Sequence, residues 1–205
     1  MIGDLVLAKA LEMFNLDVYD PEVSETSENA LRCKAIISQF TKACNWGEYE
    51  GNHTVEWCAM FAMFCWHKAA NLDAKHLAHF SQSTYRLWCW ANYLDFNHHT
   101  NPKPSSGELR MWVDLRESPN YVVSVLPGDI VIVGDGSPKT GDHVTIAKAV
   151  YRNTISTISG NGGGVNSKGK PNNGISAKTF YRDSGLYRPM FVCRPAFGDL
   201  LAEAV

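Results

Sequence analysis

The sequence predicts an α+β domain, a papain-like layout in which N-terminal helices pack on a C-terminal antiparallel β-sheet. Three observations predict it. The first half carries apolar residues at helical spacing. From Pro127 onward the chain changes to short β-branched runs separated by turns rich in Gly, Asn and Pro. Between them lies Val55 to Ala70, V-E-W-C-A-M-F-A-M-F-C-W-H-K-A-A, which has no Gly or Pro and is apolar almost all the way round. A helix of that kind must be covered on every side. Helices first and a meander of strands afterwards is the order of an α+β domain.

Taken in order, Asp4 to Asn15 has helical spacing through Leu5, Ala8, Leu11, Met13 and Phe14. Asp17 to Thr26 is a polar loop with Pro21. A second helix opens at Ser27 or Glu28 and runs to about Cys44, its apolar face made by positions 30, 31, 33, 36, 37, 40 and 44. Asn45 to Thr54 is a loop with Gly47, Gly51 and His53, and the buried helix follows. Leu72 to Phe80 reads as a short helix, and Ser81 to Thr84 caps another from Tyr85 to Leu94. Asn97 to Gly107 is a loop, and Glu108 to Arg116 a short helical or irregular insert. Strands are expected at Ile130 to Val133, Asp142 to Tyr151, Thr154 to Ser159, Ile175 to Tyr181 and Tyr187 to Arg194. Gly134 to Gly141 is a hairpin loop, and Asn161 to Gly174 a mobile Gly/Asn/Lys-rich loop. The reading divides the chain into a helical extension (1–26), one domain (27–198) and a short tail (199–205). No internal repeat is present.

The bulk composition narrows the function. The chain has 205 residues, 45% hydrophobic and 20% charged, with net charge −2 and a pI near 6.4. It lacks the basic footprint of a nucleic-acid binder. No apolar run reaches the ~18 residues of a membrane span. The N-terminus, with Asp4 and Glu12 inside its apolar part, does not read as a signal peptide, so synthesis in the cytoplasm is expected. Six cysteines without a C-x-x-C pair are expected to be free thiols rather than a disulfide framework or zinc ribbon. Asp17, Asp20 and Glu22 do not make an oxygen-ligand loop for calcium. No metal or cofactor is expected, and the chain is expected to be a monomer.

Candidate chemistry centres on Cys58. It falls at the first turn of the buried helix, where unpaired N–H groups and the helix dipole favour thiolate. A free cysteine is more often simply buried, so a partner is required. Cys65 lies two turns deeper and reads as core, as do Trp57 and Trp66. Of seven histidines, His143 stands apart, at the start of a strand directly after a Gly-rich loop. A strand start can aim an imidazole and leave it open to substrate. Alternation along Thr154 to Asn161 places Ser159 and Asn161 on one face, where both can approach His143. Asn161 either orients the imidazole or begins the turn in N-G-G-G. His76, His79, His98 and His99 lack the nearby carboxylate of a metal hydrolase pattern such as H-E-x-x-H.

Four segments in this order, V-E-W-C-A-M-F-A-M-F-C-W, L-P-G-D-I-V-I-V, G-D-H-V-T-I and S-G-N, resemble the CHAP amidases, within the NlpC-like group of papain-fold cell-wall peptidases. The small phage and bacterial subgroup, with its W-C-A-x-F helix start, is most similar. The resemblance covers roughly Ser27 to Pro195. It implies a Cys58–His143 pair, with Asn161 as orienter and Ser159 as a possible assisting residue. It implies peptidoglycan as substrate, cut at the bond between muramic acid and the first alanine or within the stem or cross-bridge. Such an enzyme acts on the wall after holin-type release or injection. The chain departs from the family in two places: Ser159 stands where an acidic residue is usual, and Glu56 where the helix start usually has Pro. A carboxylate two residues before the nucleophile opposes thiolate. A catalytically silent binding module and a cysteine peptidase acting on proteins are the alternatives. The loops 134–141 and 161–174 are expected to flank the site and shape specificity.

Overall fold

The computed structural model describes residues 2–44, 47–52, 56–70, 109–115, 120–134, 143–184 and 187–196. Among them are three helices, α1 (Ile2–Phe14), α2 (Glu28–Ala43) and α3 (Cys58–Ala70). Eight strands follow: β1 (Leu109–Asp114), β2 (Ile130–Gly134), β3 (His143–Val150), β4 (Thr154–Ser159), β5 (Gly164–Val165), β6 (Pro171–Asn172), β7 (Ser176–Tyr181) and β8 (Arg188–Ala196). The strands form one sheet in the order β1-β8-β2-β3-β4-β7-β5-β6, and the pairings are antiparallel. The fold is therefore α+β, with helices on an antiparallel sheet.

Each helix forms where its pattern and caps dictate. Ser27 caps α2, its hydroxyl accepting the Ala30 N–H, and Glu28 in the first turn suits the helix dipole. The apolar face of α2, through Cys33, Ile37 and Phe40, lies on α3. Ala59 to Trp66 are all buried, as an all-round apolar helix requires. The helix begins at Cys58 rather than at Val55, so Glu56 and Trp57 form its lead-in.

The sheet has a different core on each face. Ile130 and Ile132 of β2, Val144 and Ile146 of β3 and Ile158 of β4 join the helices in one cluster. Val131, Val133, Ala147, Ile155, Phe180 and Val192 form the other, closed by Leu115, Tyr121 and Val125. The period of two along each strand divides the residues between the two clusters. Val6, Ala10, Met13 and Phe14 of α1 belong to the helix-side cluster, so α1 is packed into the same core as α3. At its start Gly3 lies backbone to backbone on the turn at Gly128, and a Cβ on Gly128 would stand 2.6 Å from the Gly3 Cα.

Two expectations are corrected. Leu109–Asp114 is an edge strand paired with β8, not a helical or irregular insert. Its short L-R-M-W-V-D run takes its conformation from a partner far along the chain, a long-range effect that local propensity cannot register. The segment 161–174 contains β5 and β6 rather than being an unstructured loop. The Asn166 side chain accepts the N–H groups of Lys168 and Lys170 at the turn. Lys168 and Ser167 tie the turn to Asp17, and these contacts hold the Asp17 carboxyl below its usual range. The expected helices between Leu72 and Leu94 and the loop 134–141 lie outside the described residues, apart from Gly134 itself. Among the described residues no helix is long and apolar enough to cross a membrane.

Candidate active site

Cys58 is the first residue of α3, so its own N–H and that of Ala59 have no carbonyl one turn earlier in the helix. Both point at the sulfur, and the backbone N–H of Val144 reaches it from the sheet. β3 and β4 are paired from Ile146↔Ile158 onward. On the β4 side of Val144 the strands have parted, and the thiol takes the hydrogen-bonding position left there. The candidate nucleophile is thus held against the residue that follows His143.

His143 pairs with Val133 in register. Val133 belongs to the cluster away from the helices, so the imidazole leaves the strand on that face. The β3–β4 pairing ends at Ile146↔Ile158, and beyond Ser159 the chain turns away through Asn161. Gly162 then lies on the ring. A Cβ at Gly162 would stand 2.9 Å from His143 Nε2, 3.2 Å from Cε1 and 2.7 Å from Ser159 Oγ. Gly162 is fixed there, its carbonyl accepting the Ser176 hydroxyl at 2.7 Å and its N–H donating to Gly174 at 3.3 Å. Gly160 faces the other way, where a Cβ would lie 2.3 Å from the Trp57 ring. The two glycines let β4 pass closely between the indole before Cys58 and the imidazole of His143.

The structure thus gathers Ser159, Gly162 and His143, and brings Cys58 to Val144. Asn161 adopts a left-handed backbone, φ 51°, which Asn tolerates better than most residues. Its side-chain NH₂ donates to the Glu56 carboxylate. That bond ties the end of β4 to the lead-in of α3. Trp57 and Trp66 are buried in the helix-side core, as expected.

Burial dominates the electrostatics. It pushes the Cys58 thiol up, against the three backbone N–H groups, and Glu56 pushes it further up. The expectation that the helix N-terminus makes a resting thiolate is corrected accordingly: desolvation outweighs the dipole. Burial also lowers His143, to about 4, with the Lys178 ammonium adding to the effect. Lys178 sits over the rings of Phe180 at 5.3 Å and Tyr187 at 5.8 Å on the same face as the imidazole. At neutral pH the pair rests as thiol and neutral imidazole. Burial raises Cys44 to about 12 and lifts Cys65 as well. Cys33, Cys44, Cys58 and Cys65 are free thiols.

Sequence reasoning missed Glu56 as the partner of Asn161, Gly162 as the contact on His143, and Lys178 as a charge acting on the ring. The glycine run after Ser159 was the available signal for close backbone approach. Nothing local marked Lys178, which reaches the site across β4. His76, His79, His98 and His99 lie outside the described residues. Among the described residues no group of three His, Cys, Asp or Glu side chains is placed to hold a metal ion.

Comparison with known proteins gives no match: no family model, no curated protein and no solved structure is significantly similar to the chain.

Proposed function

We propose that the chain is a papain-like cysteine hydrolase that cuts an amide bond of bacterial peptidoglycan, with Cys58 as nucleophile and His143 as base. One observation carries the reading: a thiol at a helix N-terminus is held on the backbone of the strand that opens with a buried histidine. The order of W-C-A-M-F, P-G-D-I, D-H-V and S-G-N supplies the substrate class by resemblance.

Because both groups rest neutral, the reaction starts by general-base catalysis rather than from a preformed ion pair. In this reading His143, which leaves β3 on the face away from α3 in the resting structure, turns toward Cys58 and takes its proton as the sulfur attacks the amide carbonyl. The N–H groups of Cys58 and Ala59, at the positive end of α3, receive the oxyanion. The imidazolium then protonates the departing amine. Water, deprotonated by His143, releases the acid from the thioester and restores the thiol. Ser159 lies on the ring's own face, beside Gly162.

The raised thiol also favours a second reading, a silent module that binds wall fragments without turnover. Purified protein and Cys58→Ala are incubated with sacculi, and the soluble products are weighed by mass spectrometry. Free stem peptides from wild type alone indicate an amidase, and cut stems or cross-bridges an endopeptidase. The variant is expected to lose about 10³-fold or more in rate. No products from wild type, with sacculi still bound, would leave the silent module. Neither products nor binding would turn the search to protein substrates.

A further inference from the structure

We infer that residues 160–162 form a strap that keeps Cys58 and His143 apart at rest, and that the Glu56–Asn161 bond is its clasp. The inference rests on the Cys58–His143 reading above and adds an opening step to it.

Three consecutive residues past the end of β4 touch both halves of the site. Gly160 lies on Trp57, where a Cβ would stand 2.3 Å from the ring. Asn161 donates its side-chain NH₂ to the Glu56 carboxylate. Gly162 lies on His143, where a Cβ would stand 2.9 Å from Nε2. Glu56 and Trp57 lead directly into Cys58, the first residue of α3. The strap therefore spans from the element carrying the nucleophile to the one carrying the base. Those two groups lie on opposite sides of β3. The sulfur receives the Val144 N–H on the side of the helices, and His143 leaves the strand on the side of the other core. Gly160 and Gly162 fill the space between indole and imidazole. For the imidazole to reach the sulfur, residues 160–162 must move aside.

The strap is held unequally at its two ends. On the β7 side, the Ser176 hydroxyl donates to the Gly162 carbonyl at 2.7 Å, and the Gly162 N–H donates to Gly174 at 3.3 Å. Toward β3 the ladder has already stopped at Ile146↔Ile158. Toward α3 the side-chain link is the exposed Glu56–Asn161 bond. Asn161 meets it from a left-handed backbone, φ 51°. A charge-assisted bond at the surface is strong enough to set the resting population, yet its groups can turn to water when it opens. Only the open strap lets His143 meet Cys58, so reacting substrate favours that state. The closed clasp lowers apparent affinity by the fraction of molecules that are open.

The test breaks the clasp and then rebuilds it, each variant being checked by a thermal melt. Asn161→Gly suits the left-handed backbone and has no side-chain donor. Asn161→Asp keeps the shape but sets two carboxylates together. Glu56→Gln with Asn161→Asp exchanges donor and acceptor and restores a bond. In both single variants, deuterium exchange at the Gly162 amide is expected to quicken about tenfold or more, as local opening becomes easier. Their kcat/KM on sacculi should rise several-fold. The paired variant should return both quantities toward wild type. A turnover loss of about tenfold in the single variants, as removal of an orienting group gives, would overturn the inference. So would Gly162 exchange left unchanged by both, or left fast in the paired variant. The exchange measurement requires no turnover, so it decides the strap even if wild type cuts no wall.

Discussion

Gly162 lies against the His143 imidazole, so close that a methyl group on its α-carbon would stand 2.9 Å from Nε2. Ser176 and Gly174 hold Gly162 from behind, so the ring must give way. Gly162→Ala is expected to turn the imidazole and cost about 10²-fold in turnover, the range for losing a general base. The melting temperature should fall by only a few degrees. Gly160→Ala is the contrasting variant. Its Cβ would enter the Trp57 ring, and overpacking of this kind costs about 1–3 kcal/mol. Urea unfolding and a turnover assay on both variants separate the two effects; equal loss of stability would defeat the distinction.

His143 makes folding pH-dependent. Its folded pKa of about 4 lies below the ordinary histidine value of 6.5. Between those values the unfolded chain binds the proton and the folded chain does not, so stability rises with pH. The contribution is complete above 6.5 and is lost as pH falls toward 4. It amounts to on the order of 3 kcal/mol. His143→Gln should flatten this part of a stability profile measured by urea unfolding from pH 7.5 to 4. An unchanged slope would show that the ring is not buried neutral.

Thiol reactivity should rank by environment. Because burial raises Cys58, its alkylation by iodoacetamide is expected to be slow at pH 7 and to accelerate with pH. Glu56→Gln removes a negative charge beside the sulfur, so more thiolate forms at a given pH and labelling quickens several-fold. Cys44 and Cys65, raised chiefly by burial and without the backbone N–H groups that face Cys58, should stay unlabelled until the chain unfolds. Peptide mapping after timed labelling reads all three together. Fast labelling of Cys58 at pH 6 would contradict the neutral resting pair.

On the far side of the sheet, Arg194 grips Asp129 through two bonds, Nε to Oδ1 at 2.7 Å and Nη2 to Oδ2 at 2.5 Å. Asp129 is buried and also accepts the Leu126 N–H. Arg194→Ala leaves that carboxylate buried without its cation, at a cost of about 3–5 kcal/mol. The same change should leave the alkylation rate of Cys58 unaltered below the melting transition. A loss under 1 kcal/mol in urea unfolding would mean that water reaches Asp129.

The helices and central strands were legible because periodicity is local. Ser27 declares its cap, the Val55 to Ala70 run declares its burial, and Ile130 to Val133 declares a strand. The edge strand Leu109–Asp114 was not, because its partner β8 comes far later in the sequence. Cys58 and His143 were picked out by their positions at the starts of a helix and a strand. Their protonation was misjudged for a physical reason: dipole and capping follow from sequence position, whereas desolvation follows from everything packed around the group. The Glu56–Asn161 bond joins residues on different elements, and neither one's neighbours hint at it.

Gly3 and Gly128 touch across more than half the length of the chain. During synthesis α1 emerges early, but the turn that receives it does not exist until the β2 segment has been made. Until then its apolar face, Val6, Ala10, Met13 and Phe14, has no sheet to cover it. The closing of this backbone contact is therefore a late step, and its sequence separation adds to a topology already slow to assemble. A side chain at either glycine would oppose this closure and weaken the docking of α1.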